Sequence, residues 1–485
     1  MSARGRHIVI CNWRDTAHPR AGGAELYCEQ VADRLARRGI TVTLLTARPR
    51  GTARHEATGF GQIVRRGGTF GVYLAALWWL LTHRREVDGV IDSQNGIPFF
   101  SPLVLRRATP VVLLIHHVHQ QQFGAYFRWP VSLVGRWLER TVSRWVYGPR
   151  ALCVVSPSSR REVRRQLDFS GPVFLTPCGQ APAAGEPGRR ATAPTIVVVS
   201  RMVEHKRLDL LLAAVAVATK SVPGLRLDLV GDGPALAELR RLAAELGVTG
   251  RVRFHGRVSD EDRDALLETA WLTVGTSAGE GWGLSMMEAA VRGVPAVAMR
   301  VPGLRDSVLH QQTGWLVDGP QELPGVLVDV LDRLADPGVA AWHAERCTAW
   351  AARFSWTATA DRMLAVLDSE ARRRSRRRTN DAAAVVRLSP SMFSRLDLRA
   401  LRRTDQIDFA DGEVRLLLGG ADERDALAAL RRAGLPDDAH IQIRAARSAD
   451  LLGWPVCVAD AADAGQKPAI DRIAPRQPHP DGVHA

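Results

Sequence analysis

Apolar residues fall into short blocks separated by stretches of helical spacing, and the alternation runs through the chain twice. His7–Asn12 predicts a buried strand. A helix opens near Ala24, with Leu26, Val31 and Leu35 at helical spacing, and Gly39 ends it before the strand Thr41–Thr46. Gly89–Asp92, Pro110–Ile115, Ala151–Ser156 and Pro172–Pro177 continue as strands. After the Ala/Pro/Gly-rich linker Gln180–Pro194 the pattern resumes with Thr195–Ser200, Arg226–Val230, Val252–Phe254 and Ala296–Met299. Strands alternating with helices predict an α/β chain with largely parallel sheets. Pro130–Tyr147 has helical spacing, with Val134, Trp137, Leu138, Val142, Trp145 and Val146 placed to share one face and Arg136, Arg140 and Arg144 another. Phe354-Ser355-Trp356 opens a last helix to about Leu367. Past the arginine block Arg372–Arg378, the segments Glu413–Leu418, Glu423–Ala433 and His440–Ile443 predict one small β-α-β unit, and the chain beyond Ala461 is expected to be disordered.

Composition narrows the class. With 485 residues, 46% hydrophobic and 24% charged, the chain is long enough for about three globular domains. The formal net charge of +14 favours an anionic partner or surface. Cys11, Cys28, Cys153, Cys178, Cys347 and Cys457 show no paired spacing, which argues against a zinc site or disulfide framework and for a reduced cytosol. The start of the chain leaves no room for a signal peptide, and the longest apolar run, Phe70–Leu81, falls short of the roughly twenty residues that span a bilayer. A cytoplasmic protein is expected.

The stretch Gly275–Pro295, GTSAGEGWGLSMMEAAVRGVP, concentrates the candidate chemistry. Glu280 stands on a tight loop, Gly281-Trp282-Gly283 leads into a helix, and Glu288 falls about one turn inside it. A helix start offers unpaired amides and the positive end of the dipole, a site for phosphate, while flanking carboxylates suit sugar hydroxyls. Gly22-Gly23 let backbone approach a ligand at the head of the first helix. Arg201 and Lys206 close the strand Thr195–Ser200, where a planar fork and a point charge suit a diphosphate. His116, His117 and His119 follow the strand Pro110–Ile115, and Asn95 follows Gly89–Asp92, positions at which α/β sheets gather ligands. Asp260-Glu261-Asp262 could pass for a metal-binding motif, but Ser259 before it and apolar residues after it read as a capped helical turn, so no metal and no cofactor is expected.

Glu280 and Glu288 within the EGWGL…MEA…GVPAVA run resemble the signature of the bacterial-type retaining glycosyltransferases of family 4, and the resemblance covers roughly residues 7–368. It implies the GT-B fold: a Rossmann-like acceptor domain over residues 1–180 and a nucleotide-sugar donor domain over 195–368, facing a central cleft. An accessory α/β module over 381–460 and a tail over 461–485 would follow. It further implies that Glu280 and His116 or His117 act at the donor sugar. Gly22, Gly23, Arg201, Lys206, Gly283 and Leu284 would lie along the diphosphate, Gly256 and Val258 near the base, and Glu288 on the ribose. Cys178-Gly179 stands where the family usually has Asn-Gly, Arg207 where glycine is common, and Arg305-Asp306 where Pro-Glu is more frequent. The acceptor side is read as Asn95, His119, Arg136 and Arg140, and basic residues beside Trp78, Trp79, Trp129, Trp137 and Trp145 suggest a lipid-linked acceptor at an anionic membrane. The competing readings are a soluble acceptor, a non-catalytic scaffold, in which the phosphate and hydroxyl ligands would be eroded, and nucleic-acid binding through the arginine block, for which no recognised module is present.

Overall fold

The computed structural model describes residues 5–120, 129–182, 190–375, 382–402, 405–410, 412–419, 421, 423–436, 439, 441–447 and 456–457. Arg128, Arg376–Arg378, His440 and the segment from Ala461 lie outside the described residues. Residues 1–169 and 173–370 form one compact unit, and 170–172 with 371–485 the other.

The larger unit begins with an eight-stranded sheet in the order β3-β4-β2-β1-β5-β6-β7-β8. Its strands are β1 (His7–Cys11), β2 (Thr41–Thr46), β3 (His55–Thr58), β4 (Gly61–Arg65), β5 (Gly89–Gln94), β6 (Val111–Ile115), β7 (Leu152–Val154) and β8 (Val173–Leu175). Every pairing is parallel except β3 with β4. Ile8, Val9 and Ile10 are buried on both faces, which is why β1 reads as an unbroken apolar run. The strand order reverses between β1 and β5, and such a switch point opens a crevice at the carboxyl ends of the strands. The helix Gly23–Ala36 starts there.

The second half carries β9 (Thr195–Val199), β10 (Arg226–Val230) and β11 (Val252–Gly256) in the order β11-β10-β9, and β12 (Thr273–Gly275), β13 (Ala296–Met299) and β14 (Gly314–Val317) in sequence order. All are parallel. Leu272 joins the two sets, its carbonyl accepting from Val197 N at 3.1 Å.

Two chain crossings link the halves and lie side by side. Gln180 N donates to Phe354 O at 2.8 Å, and a Cβ on Gly179 would overlap the Trp356 backbone. The helix Trp356–Ser375, longer than its sequence pattern suggests, then returns over the first half. Thr359 Oγ1 donates to Pro177 O at 2.7 Å, Arg6 pairs with Asp368 at 2.6 Å, and Glu370 accepts from Ala151 N at 3.3 Å.

The segment 131–147 is helical, as its spacing predicts, but not as one continuous α-helix. It folds as the α-helix Val131–Trp137, a π turn Leu138–Val142 and the α-helix Ser143–Tyr147. Its buried residues are Ser132, Gly135, Glu139, Ser143 and Tyr147, whereas Val134, Trp137 and Trp145 are exposed, Trp145 to 76%. Apolar spacing marked the outer face, because the inner one is filled by small residues and by polar groups with partners: Ser143 Oγ donates to Leu138 O at 2.9 Å and Tyr147 to Asp92. On the helix Gly71–His83, Phe70, Leu74, Trp78 and Leu81 are likewise exposed, while Trp79 and Leu80 are buried.

The smaller unit holds β15 (Ala382–Leu388), β16 (Gln406–Ala410), β17 (Glu413–Gly419), β18 (Gln442–Arg447) and β19 (Val456–Cys457) in the order β18-β15-β17-β16-β19, every pairing antiparallel. With short helical turns after β15 and the helix Glu423–Arg432 after β17, this is a β-α-β-β-α-β arrangement of the ferredoxin-like kind. The expected β-α-β unit is therefore split: β15 lies between β17 and β18.

Candidate functional site

Glu280 is held by its own loop and by two glycines. Gly283, in the left-handed region at φ 88°, ends the loop and begins the helix Leu284–Val291. Gly303, at φ 82°, lies so close beneath Glu280 that a Cβ there would overlap its backbone. Glu280 N donates to Pro302 O at 3.0 Å. Lys206 Nζ donates to Glu280 Oε1, and Ser277 Oγ donates to the same oxygen at 2.6 Å. Burial pushes the Glu280 carboxyl up, but the Lys206 charge and these hydrogen bonds outweigh it, so the net shift is downward and the group is ionised at neutral pH. Thr276 Oγ1 donates to Lys206 O at 2.8 Å, which fixes the lysine backbone against the same loop.

The loop meets the end of β6. A Cβ on Gly281 would overlap the His116 carbonyl oxygen. His116 turns inward, its Nε2 3.1 Å from Ser93 Oγ and its ring edge-on to Tyr27 at 5.2 Å, and burial lowers its pKa to about 4. His117 is the histidine on the Glu280 side: its Cε1 lies 3.9 Å from the position a Cβ on Gly279 would take, and its Nδ1 is buried without a hydrogen-bond partner among the described residues. Burial lowers its pKa against the opposing pull of Glu280. The His119 ring stands edge-on to His117 at 5.4 Å and is lowered to about 3 by burial and by its histidine neighbours. All three imidazoles are thus neutral at pH 7. Asn95 Nδ2 and Ser93 Oγ both donate to Asn12 Oδ1, at 2.8 and 2.9 Å, tying the ends of β1 and β5 together.

At the head of the first helix, Glu25 accepts from Gly22 N at 2.8 Å and from Arg14 Nε at 2.9 Å. Arg14 lies over the Trp13 ring at 4.5 Å. From the second half the Arg201 guanidinium approaches Gly22, with Cζ 3.7 Å from the position of a Cβ there. Burial first, and then Arg201 and Arg20, lower the Arg14 pKa against Glu25. Two guanidiniums from opposite halves thus share a place suited to an anion. Sequence reasoning missed Arg14, and the available signal was Glu25, three residues after Gly22, at the spacing of a capping box. Gly23 packs on Leu284, whose Cδ1 lies 2.5 Å from where a Cβ would stand.

Glu288 is half-buried on the helix Leu284–Val291, and burial raises its pKa in spite of Arg263 and Arg292. Gly256 ends β11 at φ 70° with open space beside it, and Val258 is half-buried. Arg136 is half-buried and its carbonyl accepts from Gln120 Nε2 at 3.2 Å, while Arg140 is exposed. Neither is joined to Glu280 or Lys206 by a hydrogen bond or ion pair among the described residues. Ser259 Oγ accepts from Asp262 N at 3.0 Å, the cap read from the sequence. Among the described residues no group of three or more His, Cys, Asp or Glu side chains is arranged to hold a metal ion.

Two family models tile most of the larger unit. Residues 21–183 match the model described as Glycosyltransferase Family 4 and residues 183–335 that of Glycosyl transferases group 1. A GDP-mannose-dependent alpha-(1-6)-phosphatidylinositol monomannoside mannosyltransferase from Mycolicibacterium smegmatis is 37% identical over 155 residues, 30% of this chain and 40% of that protein. The match thus spans well under half of that relative's length. A D-inositol 3-phosphate glycosyltransferase from Thermobispora bispora is 28% identical over 396 residues, 71% of this chain and 89% of that protein. Among solved structures, sucrose-phosphate synthase from Thermosynechococcus elongatus superposes with a TM-score of 0.63 at 21% identity, covering 75% of this chain and 98% of that one. WaaG, a glycosyltransferase involved in lipopolysaccharide biosynthesis, does so with 0.58 at 16%, covering 74% and 99%. These likenesses bear on fold alone, and the fold they share is GT-B. With both family models matched in order across residues 21–335, the chain belongs to glycosyltransferase family 4.

Proposed function

We propose that this protein transfers a sugar from a nucleotide-sugar donor to an acceptor with retention of anomeric configuration. The observation that carries the reading is the convergence of Arg14 and Arg201 beside Gly22, with Lys206 bonded to Glu280 in the same unit. The hard step is departure of the nucleoside diphosphate, and fixed donors aimed at the developing charge lower its barrier most. Arg201, Lys206, Arg14 and the amides near Gly23, Gly283 and Leu284 take that role. Glu280 and neutral His117 bind donor-sugar hydroxyls, and Glu288 the ribose. The bond from the anomeric carbon to the phosphate oxygen breaks as the acceptor oxygen attacks on the same face, and the acceptor proton passes to the departing phosphate. No metal is required.

We further propose a lipid-linked acceptor, handled at an anionic membrane on the cytoplasmic face in cell-surface glycan or glycolipid synthesis. The outward Trp78, Trp129, Trp137 and Trp145 beside exposed Arg140 and Arg144 support it. No helix among the described residues is long and apolar enough to cross a membrane.

The deciding experiment measures nucleoside diphosphate release from UDP-glucose, GDP-mannose and ADP-glucose, with the product anomer read by proton NMR. One donor should be turned over, with retention, and Glu280→Ala should abolish turnover while circular dichroism stays unchanged. Parental turnover in that variant, or an inverted product, would overturn the reading.

A further inference from the structure

Glu139 has no part in the chemistry above, yet it is fully buried. It stands in the π turn Leu138–Val142, on the inner face of the helical segment whose outer face carries the exposed tryptophans. A single π turn inside an α-helix is often found at functional sites. Its carboxylate collects donors from the ends of two strands. Oε1 accepts from His119 N at 2.8 Å and from Gln94 Nε2 at 3.3 Å, and Oε2 accepts from Gln120 Nε2 at 2.7 Å. Its ring partner is His119, whose Nδ1 lies 3.8 Å from Oε1. Burying a carboxylate among neutral donors costs several kcal/mol of desolvation, so filling space does not account for the choice of residue.

We infer that Glu139 is a positioning residue that holds the loop His117–Gln120 so that His117 faces the Glu280 side of the site; this rests on the glycosyltransferase reading. The path is one of direct contacts. Glu139 fixes the backbone of His119, the His119 ring lies edge-on to His117, and His117 borders Gly279. Gln120 cannot turn its amide to suit a different partner, because its Nε2 also donates to Arg136 O at 3.2 Å. A glutamine at 139 would therefore set an amide donor against a donor on one side and weaken the clamp without changing its volume.

Charge matters as well as shape. Burial raises the Glu139 pKa to about 7 against the hydrogen bonds from His119, Gln120 and Gln94. The titratable groups facing it are His119, already neutral in that range, and Glu162 from the helix Pro157–Gln166, itself raised to about 7 by burial. The ionised carboxylate accepts all three donors. Once protonated it must place its own hydrogen, and the clamp loosens as pH falls through about 7.

The test uses the full chain. Calorimetric titration of the parent with UDP, GDP and ADP comes first, and if none binds, the donor reading fails independently of Glu139. With the nucleotide that binds, Glu139→Gln should keep its affinity within about twofold, while release of that nucleoside diphosphate from its sugar conjugate slows about tenfold or more. The parental rate should fall on acidification through about pH 7. That dependence should be lost in Glu139→Gln and kept in Glu162→Gln. Imidazole NMR signals of His117 and His119 should shift in the first variant and not in the second. Parental rate, pH profile and histidine signals in Glu139→Gln would overturn the inference. If that variant does not fold, Gln120→Leu decides: a several-fold slower release with displaced histidine signals supports the inference, and parental behaviour ends it.

Discussion

Lys206 and Glu280 hold each other: the ammonium that would meet a diphosphate is bonded to the carboxylate that would meet sugar hydroxyls. Because burial is the largest influence on Glu280 and Lys206 the largest opposing it, the two cannot be altered separately. In Lys206→Ala the Glu280 carboxyl should move from below to above its ordinary range. In the parent, the depressed pKa makes the stabilisation by ionised Glu280 complete above the usual carboxylate range and lost as pH falls through its folded value. The variant should therefore lack that acid-side loss, as urea unfolding between pH 3 and 7 will read. Nucleoside diphosphate affinity should fall by about 2–5 kcal/mol, as for other charge pairs left half-matched.

Gly281→Ala and Gly256→Ala should differ in kind. Gly281 abuts the His116 carbonyl, so a methyl group there pushes the Glu280 loop away from β6 and costs about 1–3 kcal/mol with loss of donor turnover. Gly256 has open space but a φ of 70°, so alanine costs about 1–2 kcal/mol through backbone strain alone. Equal turnover in the two variants would contradict this.

The exposed tryptophans predict vesicle binding. Co-sedimentation should recover the protein with anionic and not with neutral vesicles, and salt should weaken it. Replacing Arg136, Arg140 and Arg144 by Glu should release it, at about 1 kcal/mol for each charge removed. Replacing Trp137 and Trp145 by Ser should weaken binding without altering its salt dependence. Equal recovery with both vesicle types favours a soluble acceptor.

Arg207 stands in the left-handed region at φ 49°, which explains why glycine is common at that position. Arg207→Gly removes the strain and Arg207→Ala does not, while both lose the exposed pair with Asp209. The glycine variant should be the more stable of the two by about 1–2 kcal/mol in thermal unfolding.

Ending the chain at Ser375 should leave nucleotide binding intact, because the smaller unit supplies none of the candidate residues. Ending it at Ser369 removes Glu370, which accepts from Ala151 N and lies 3.9 Å from buried Arg150, and should lower stability by about 3–5 kcal/mol. Equal melting temperatures for the two truncations would refute the second expectation.

What could be read beforehand followed from local rules. β2, β10 and β13 have the bounds expected from their apolar runs, and Ser259 caps as its spacing implied. β3 and β4 escaped notice because His55, Glu56 and Gln62 at the sheet edge break any apolar period. β15 was hidden because its alanines come only a few residues after a charge block and carry little β signal. Arg14 sits in a loop without periodicity and gains meaning only from Glu25 and Arg201, eleven residues away on one side and in the other half on the other. Glu139 stands next to Arg140 in the sequence, and only the burial of Ser132, Gly135 and Ser143 at helical spacing shows that it, unlike Arg140, lies on the inner face.

The two crossings between the halves are bonded to one another through Gln180 and Phe354, and Gly179 leaves no room for a side chain against Trp356. A side chain at 179 would therefore force both crossings apart together, so a change at this one glycine is felt in the entry to the second half and in the return from it alike.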